Sequence, residues 1–509
     1  MSRIDNSLKN MKFASIGFFL SYIFTFATRK IFLIFLSIEY LGLNGLFSNI
    51  LSMLSLAELG IGTAICFSLY KPLALQETSK IQALMQLYRK AYTLIGSLVI
   101  LVGLSCIPLL PLLLGDVPYI PYLNAIYALF VIDSGVSYFL SYKRTILVAD
   151  QKKYIDTNFY YGFQIIKSLL QVAVLVLTGS YVFFLLIMLG TTITENLVIR
   201  RTINMLYPYL KDKEKKSLSQ EEKTQIKKNV YALTFHKIGG AVVNGTDSIL
   251  IVRFVGLASA GINANYAMVT TALKKVINIL FSSLTASIGN LAVEKQAVGS
   301  KPFFDQLNFL TAWIFGFSAI CLLTLFNPFI SLWLGSEYLF DHKVVFVIVL
   351  NFYLAGMLMP IRTFSASMGL FWYDRYKPIF ESLINLGFSI FLANRIGLVG
   401  VLIGTTISTV TTCFWFEPYV LFRFGFELPV RKYFFAYIRY TVITFIIGWI
   451  TFKGVSYIPI SNSLVAFLVS MVICALLPNL LYLLVYFRDS ECIKNRKLVQ
   501  RIIKRNTQA

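Results

Sequence analysis

Apolar stretches of about twenty residues, each closed by a short polar break, recur along almost the whole chain. A helix needs about 20 apolar residues to cross a bilayer core. The pattern therefore predicts fourteen helical spans, near 13–37, 42–68, 91–114, 120–142, 157–178, 180–200, 229–252, 259–290, 308–332, 344–371, 378–396, 399–422, 434–452 and 463–487. Some breaks are very short, as at Thr178 to Tyr181, so the spans on either side form hairpins that barely leave the membrane. Composition agrees. Of 509 residues, 57% are hydrophobic and 14% charged, whereas soluble domains lie nearer 45–50% and 25%. The expected fold is an all-α polytopic membrane protein, and a string of soluble domains is excluded.

The chain carries 46 Lys and Arg against 24 Asp and Glu, a formal charge of +22. Their distribution explains the excess without nucleic acid. With the N-terminus inside, the inner segments hold 34 of the basic residues and the outer turns only Arg253, Lys343, Arg395 and Lys453. Cytoplasmic loops are enriched in Lys and Arg, so both termini are expected in the cytoplasm. The charged stretch within 204–228 reads as a solvated linker. It separates an N-lobe of six helices (1–203) from a C-lobe of six (229–423), with two extra helices and a basic tail in 424–509. Landmarks recur at an offset of roughly 215–220 residues: Leu41-Gly-Leu and Val255-Gly-Leu, Leu112-Leu-Leu-Gly and Leu332-Trp-Leu-Gly, Arg144-Thr with Lys153-Tyr154 and Arg362-Thr with Arg375-Tyr376. An even number of spans per copy makes these two parallel six-helix repeats.

The charges inside the spans are the most informative residues, because each costs about 2.5–3.5 kcal/mol at midspan on insertion scales and so faces protein or water. The bases are Arg29, Lys30, Lys167, Lys237, Lys274, Lys275, Arg362 and Arg439; the acids are Glu58, Asp133, Glu195, Asp247 and Glu417. Helical spacing gathers Asn263, Thr270, Lys274 and Asn278 into one stripe on the eighth span. Asn44, Ser48 and Glu58 line up likewise on the second, as do Lys237, Asn244 and Asp247 on the seventh. These are corresponding helices of the two repeats, and they predict a polar cavity. Its bases outnumber its acids, which suits an anionic substrate rich in phosphate oxygens.

Leu41 to Ile65 (LGLNGLFSNILSMLSLAELGIGTAI) resembles the second-helix signature of bacterial polysaccharide flippases. So do Glu381 to Ala393, Gly397 to Thr409 and Trp415 to Leu421, together with Asn6 to Asn10, so the likeness covers nearly the whole chain. It is a likeness to the polysaccharide transporter branch (Wzx-type repeat-unit flippases) of the multidrug/oligosaccharidyl-lipid/polysaccharide exporter superfamily. The resemblance implies a two-lobed transporter in the bacterial cytoplasmic membrane. It would flip an undecaprenyl-pyrophosphate-linked oligosaccharide by alternating access, coupled to H⁺ or Na⁺. Arg29 and Lys30 match the basic pair of the first helix in related flippases, and Glu58 in AELG matches an acid suspected in ion coupling.

The expected pyrophosphate clamp is Arg29, Lys30, Lys237, Lys274, Lys275 and Arg362, with Glu58 and then Asp247 as coupling groups. Of the adjacent pair Lys274 and Lys275, some 100° apart on a helix, only one is expected to face the cavity. Expected partners are the lipid-linked oligosaccharide, membrane lipids, and the polymerase and glycosyltransferases of the same pathway. The chain has no GxxxxGK[ST] segment for ATP hydrolysis and no Cys/His cluster for a metal, and it is expected not to be an enzyme. The rival readings are a teichoic-acid precursor flippase and, on the same scaffold, a cation or drug exporter, whose cavity would be acidic or aromatic.

Overall fold

The computed structural model describes residues 3–58, 60–115, 120–211, 218–294, 299–457 and 462–496; the side chains of 3–14, 56–57, 225, 228–229, 231–244, 280, 282–287, 289–294 and 371 lie outside that description. Among the described residues there are eighteen α-helices and no strand. The chain divides into two compact units, 1–264 and 265–509.

The first unit holds α1 (Arg3–Phe35), α2 (Ile38–Leu54), α3 (Ile61–Ala74), α4 (Thr78–Ser105), α5 (Leu110–Leu114) and α6 (Leu123–Ser141). It continues through α7 (Arg144–Ala149), α8 (Lys153–Thr178), α9 (Tyr181–Leu206), α10 (Gln220–Phe254) and the first turns of α11 (Leu257–Glu294). Within it α1 lies along α8, α4 is held between α3 and α6, α9 packs on α6 and α8, and α10 packs on α2. Small residues also let the first turns of α11 approach α2. A Cβ at Gly42 would stand 2.2 Å from the Leu257 carbonyl oxygen, and one at Gly261 would stand 2.3 Å from that of Ile38. Asn49 Nδ2 also donates to Ser248 Oγ at 2.7 Å. These contacts place the seventh predicted span with the first six.

The second unit comprises the rest of α11, α12 (Lys301–Trp333), α13 (His342–Met357), α14 (Met359–Ser367), α15 (Lys377–Ser408), α16 (Phe414–Val420), α17 (Arg431–Ser456) and α18 (Ser463–Tyr486). Here α12 is the hub, packed against α13, α17 and α18. The outward faces are apolar, with Leu94, Leu101, Leu177, Phe435, Phe445 and Leu484 exposed; such faces are stable against lipid rather than water.

Among the described residues ten helices are long and apolar enough to cross a membrane, so this is a multi-pass membrane protein. One of the ten, 377–425, contains both the eleventh and twelfth predicted spans. The helix breaks at Ile396 and at Gly397, whose φ of +58° suits glycine. Asn385 meets Thr405 (3.1 Å) and Ser389 meets the Val401 carbonyl (3.1 Å), pairings centred on that break. The segment is thus an antiparallel hairpin. The three remaining predicted spans are the second, seventh and eighth, whose polar stripes stood out in the sequence. Spans seven and eight are the continuous helices α10 and α11. Span two is broken between α2 and α3 by a 3-10 turn over Ser55–Glu58 and by Gly60 at φ +79°.

Two local expectations change. The linker is partly helical: α10 begins at Gln220, where Ser219 Oγ accepts from the Glu222 amide and Glu222 returns the bond to the Ser219 amide. The Lys80–Tyr92 stretch, left almost wholly outside the predicted span 91–114, is the start of α4 itself. Its buried Ile81, Leu84 and Tyr88 join Ile146, Leu147 and Tyr207 in a core cluster.

Candidate functional site

Most intramembrane charges answer one another inside their own unit. In the first unit, Arg144 opens α7 and donates to Glu195 on α9 (2.8 Å), to Asp156 on α8 (3.0 Å) and to Asn196 (3.2 Å). Lys167 lies within electrostatic reach of Asp133 and Glu195. In the second unit, Arg362 on α14 makes a two-pronged contact with Glu417 on α16, Nε to Oε2 at 2.8 Å and an Nη to Oε1 at 3.0 Å. Lys377 at the start of α15 donates to Glu417 at 2.6 Å and pairs with Glu381 at 3.2 Å. Arg439 pairs with Asp489 at 2.9 Å.

The two networks match by position. Arg144 and Arg362 are 218 residues apart, and Glu195 and Glu417 are 222 apart. Each arginine sits on a short helix and clamps a glutamate on a later helix of its unit. The internal repeat read from sequence landmarks is therefore carried by a shared ion pair. The copies differ in stoichiometry: one base between two acids in the first, one acid between two bases in the second. Arg362, expected in the clamp, has its charge answered by Glu417, although its side chain remains half-exposed beside a small cavity of about 170 Å³.

The other expected residues lie on further helices, and Lys274 among them is within electrostatic reach of Arg362. On α1, Arg29 is half-buried and Lys30 exposed, as their angular offset on a helix requires. Arg29 lies in electrostatic contact with Tyr181, the first residue of α9. Tyr181 is packed by Phe32, Tyr40 and Phe184, with ring centroids 5.7, 4.8 and 5.9 Å away. Its hydroxyl is buried and, among the described residues, meets no partner at hydrogen-bond geometry, although Asn44 lies close by. Asn44 is half-buried and accepts weakly from the exposed Ser48 at 3.5 Å. Arg29, Tyr181, Asn44 and Ser48 thus form one polar patch. Sequence reading missed Tyr181, because nothing in a span's first residue signals that it will face an arginine from another helix.

On α11, Lys274 is half-buried, with its ammonium 5.7 Å from the centre of the Phe352 ring, while Lys275 is exposed. Of the rest of the predicted stripe, Asn263 is half-buried, Asn278 exposed, and Thr270 buried with its hydroxyl donating to the backbone of its own helix. Among the described residues, no carboxylate lies within ion-pair distance of Arg29 or Lys274. The side chains of Lys237 and Asn244 lie outside the described residues.

Glu58 occupies the break between α2 and α3. Tyr92 donates to its Oε1 at 2.8 Å, and Tyr88 and Tyr138 complete an aromatic wall, with centroids 4.2 and 5.4 Å from that of Tyr92. Gly62 is required here, since a Cβ would stand 2.7 Å from the carboxylate. Asp247 is half-buried on α10, next to the Ser248 that holds Asn49. No group of three or more potential metal ligands occurs among the described residues.

No protein-family model and no curated protein matches the chain. Solved structures do resemble it. The lipid II flippase MurJ, in an inward closed conformation, aligns with a TM-score of 0.66 at 15% identity, over 93% of this chain and 99% of its own. An inward-facing multidrug resistance MATE family transporter of the MOP superfamily aligns at 0.64 and 13% identity, over 79% of this chain and 94% of its own. A MOP superfamily transporter from Pyrococcus furiosus, described as having a binding pocket of reverse polarity, aligns at 0.56 and 12% identity, over 82% and 95%. At such identities the likeness is one of fold, and the fold of this multi-pass membrane protein is that of the MOP-superfamily transporters.

Proposed function

We propose that this chain is a flippase. It would move undecaprenyl-pyrophosphate-linked oligosaccharide repeat units across the cytoplasmic membrane by ion-coupled alternating access, supplying capsule or other cell-surface polysaccharide synthesis. The observation that carries this reading is that Arg29 and Lys274, one in each unit, are intramembrane cations with no carboxylate at ion-pair distance among the described residues. A cation left without an acid in low dielectric is costly, and an anionic substrate supplies the missing charge. The buried Tyr181 hydroxyl beside Arg29 adds a donor for a phosphate oxygen.

A diphosphate bearing sugars cannot enter hydrocarbon, whereas its polyprenyl tail never needs to leave it. The protein then has only to provide a cationic, wet path for the head. A lipid II flippase stands among the proteins of this fold, and so do multidrug exporters. The charge pattern favours the former. Glu195 and Glu417 are engaged by Arg144, Arg362 and Lys377, and Asp133 lies within electrostatic reach of Lys167, so three of the five acids of the spans are answered by bases. For coupling to H⁺ or Na⁺ we assign Glu58, whose carboxylate is held by a tyrosine hydroxyl at a helix break. Asp247 ranks second.

The test is transport in proteoliposomes. A labelled undecaprenyl-pyrophosphate oligosaccharide is offered in one set and a fluorescent organic cation in another. The proposal expects translocation of the first and none of the second. Export of the cation without movement of the lipid-linked sugar would establish the rival reading.

A further inference from the structure

A cavity of about 780 Å³ opens at one end of the first unit, and among the described residues that line it none is assigned above to the substrate. Among the described residues five cations line it, Arg89 and Lys90 from α4, Lys143 from the α6–α7 turn, Arg200 from α9 and Lys211 just beyond it, and no acidic residue does. The sequence scatters these over three separate basic segments. The fold brings all three to one end of the unit.

Lys143 forms the floor. It is 7% exposed, and its ammonium donates to Asn204. Burial, and then the charges of Arg200, Arg89 and Lys211, lower its pKa to about 8. Among the described residues no carboxylate relieves that crowding. Arg89 and Lys90, by contrast, are exposed at the rim.

The wall beyond the rim identifies the medium. Thr93, Leu94 and Ser97 carry the cavity along α4 towards its apolar part, where Leu94, Leu98 and Leu101 are exposed on one face. A cationic cup therefore adjoins a face built for lipid chains. Such a junction is where a phosphate head group of a bilayer lipid sits, its acyl or prenyl chain running down the apolar face.

We propose that this cavity is a binding site for the phosphate-bearing head group of an anionic lipid. The inference rests on the first unit's own residues and is independent of the transport reading.

Native mass spectrometry of the full chain in detergent tests it. The protein is titrated with phosphatidylglycerol, farnesyl pyrophosphate, inorganic pyrophosphate and phosphatidylcholine. Because a change at buried Lys143 risks misfolding, the variant is Arg89→Gln/Lys90→Gln, with exposed Lys432→Gln as control. The expected result is binding of phosphatidylglycerol or farnesyl pyrophosphate in preference to phosphatidylcholine. That binding should weaken roughly 30-fold in the double variant, about 2 kcal/mol at 1.4 kcal/mol per decade, and stay unchanged in the control. Whichever of the two lipids binds more tightly identifies the source of the phosphate. Equal binding of phosphatidylcholine, or unchanged affinity in the double variant, would overturn the proposal. Binding of inorganic pyrophosphate as tight as that of either lipid would also overturn it, by showing a site for soluble anions.

Discussion

Replacing Glu417 by Gln should be the most damaging single change in the second unit's charge network. The Glu417 side chain is 5% exposed and accepts from Arg362 at 2.8 and 3.0 Å and from Lys377 at 2.6 Å. Removing one partner of a buried ion pair costs about 3–5 kcal/mol, because the remaining charge stays buried. Two features move this case to the low end of that range. Lys377 keeps Glu381 at 3.2 Å, and Arg362 is half-exposed. About 3 kcal/mol is therefore expected, a roughly 150-fold drop in the ratio of folded to unfolded protein. Glu195→Gln in the matching position of the first unit should cost less, about 1 kcal/mol, since Arg144 retains Asp156 at 3.0 Å and the carboxylates there are less buried. The assay is unfolding in detergent followed by far-UV circular dichroism, with Glu417→Asp and the double variant Arg362→Gln/Glu417→Gln alongside. Coupled partners should give a double variant less unstable than the sum of its singles. A Glu417→Gln protein as stable as the parent, or more stable than Glu195→Gln, would refute the reasoning.

Other outcomes follow from the same geometry. Gly42→Ala, which sets a Cβ 2.2 Å from the Leu257 carbonyl, should cost about 1–3 kcal/mol by forcing α2 away from α11, measured in the same unfolding assay. Lys143 binds its proton less tightly when folded, with a pKa of about 8 against 10.5. Its charged form thus burdens the fold fully below pH 8, and stability should rise as the pH climbs from 8 towards 10.5, an increment that Lys143→Met abolishes. Glu58→Gln should leave the thermal midpoint near that of the parent and remove the dependence of transport on the ion gradient, and Tyr92→Phe should weaken that dependence without abolishing it.

The spans were legible because apolar length and hairpin-short breaks are properties of consecutive residues. Even the eleventh and twelfth spans, merged into one helical run, separate at the Ile396–Gly397 break expected from the sequence. The repeat was legible as ordered landmarks. What could not be read was which charge meets which. Helical spacing assigns a residue to a face but not to the neighbour that face will meet, so Arg362 looked available although Glu417, 55 residues later, answers it. For the same reason Asp156 drew no notice until Arg144 was found beside it. The basic pocket was hidden more completely. Positive loop charge already has a sufficient topological explanation, and only the fold shows that Arg89, Lys143 and Arg200 converge. Within the predicted clamp, periodicity did separate the half-buried Arg29 and Lys274 from their exposed neighbours Lys30 and Lys275.

The central claim is that Arg29 and Lys274, each without a carboxylate at ion-pair distance among the described residues, bind the head group of a lipid-linked sugar. It is tested most directly by the rate at which proteoliposomes translocate an undecaprenyl-pyrophosphate oligosaccharide, comparing the parent with Arg29→Gln, Lys274→Gln and the exposed-neighbour variants Lys30→Gln and Lys275→Gln. The account predicts at least a tenfold loss for Arg29→Gln and for Lys274→Gln, each removing about 1.4 kcal/mol or more of charge-assisted contact, with the neighbours near the parent rate. Full transport by Arg29→Gln and Lys274→Gln in folded protein would contradict it.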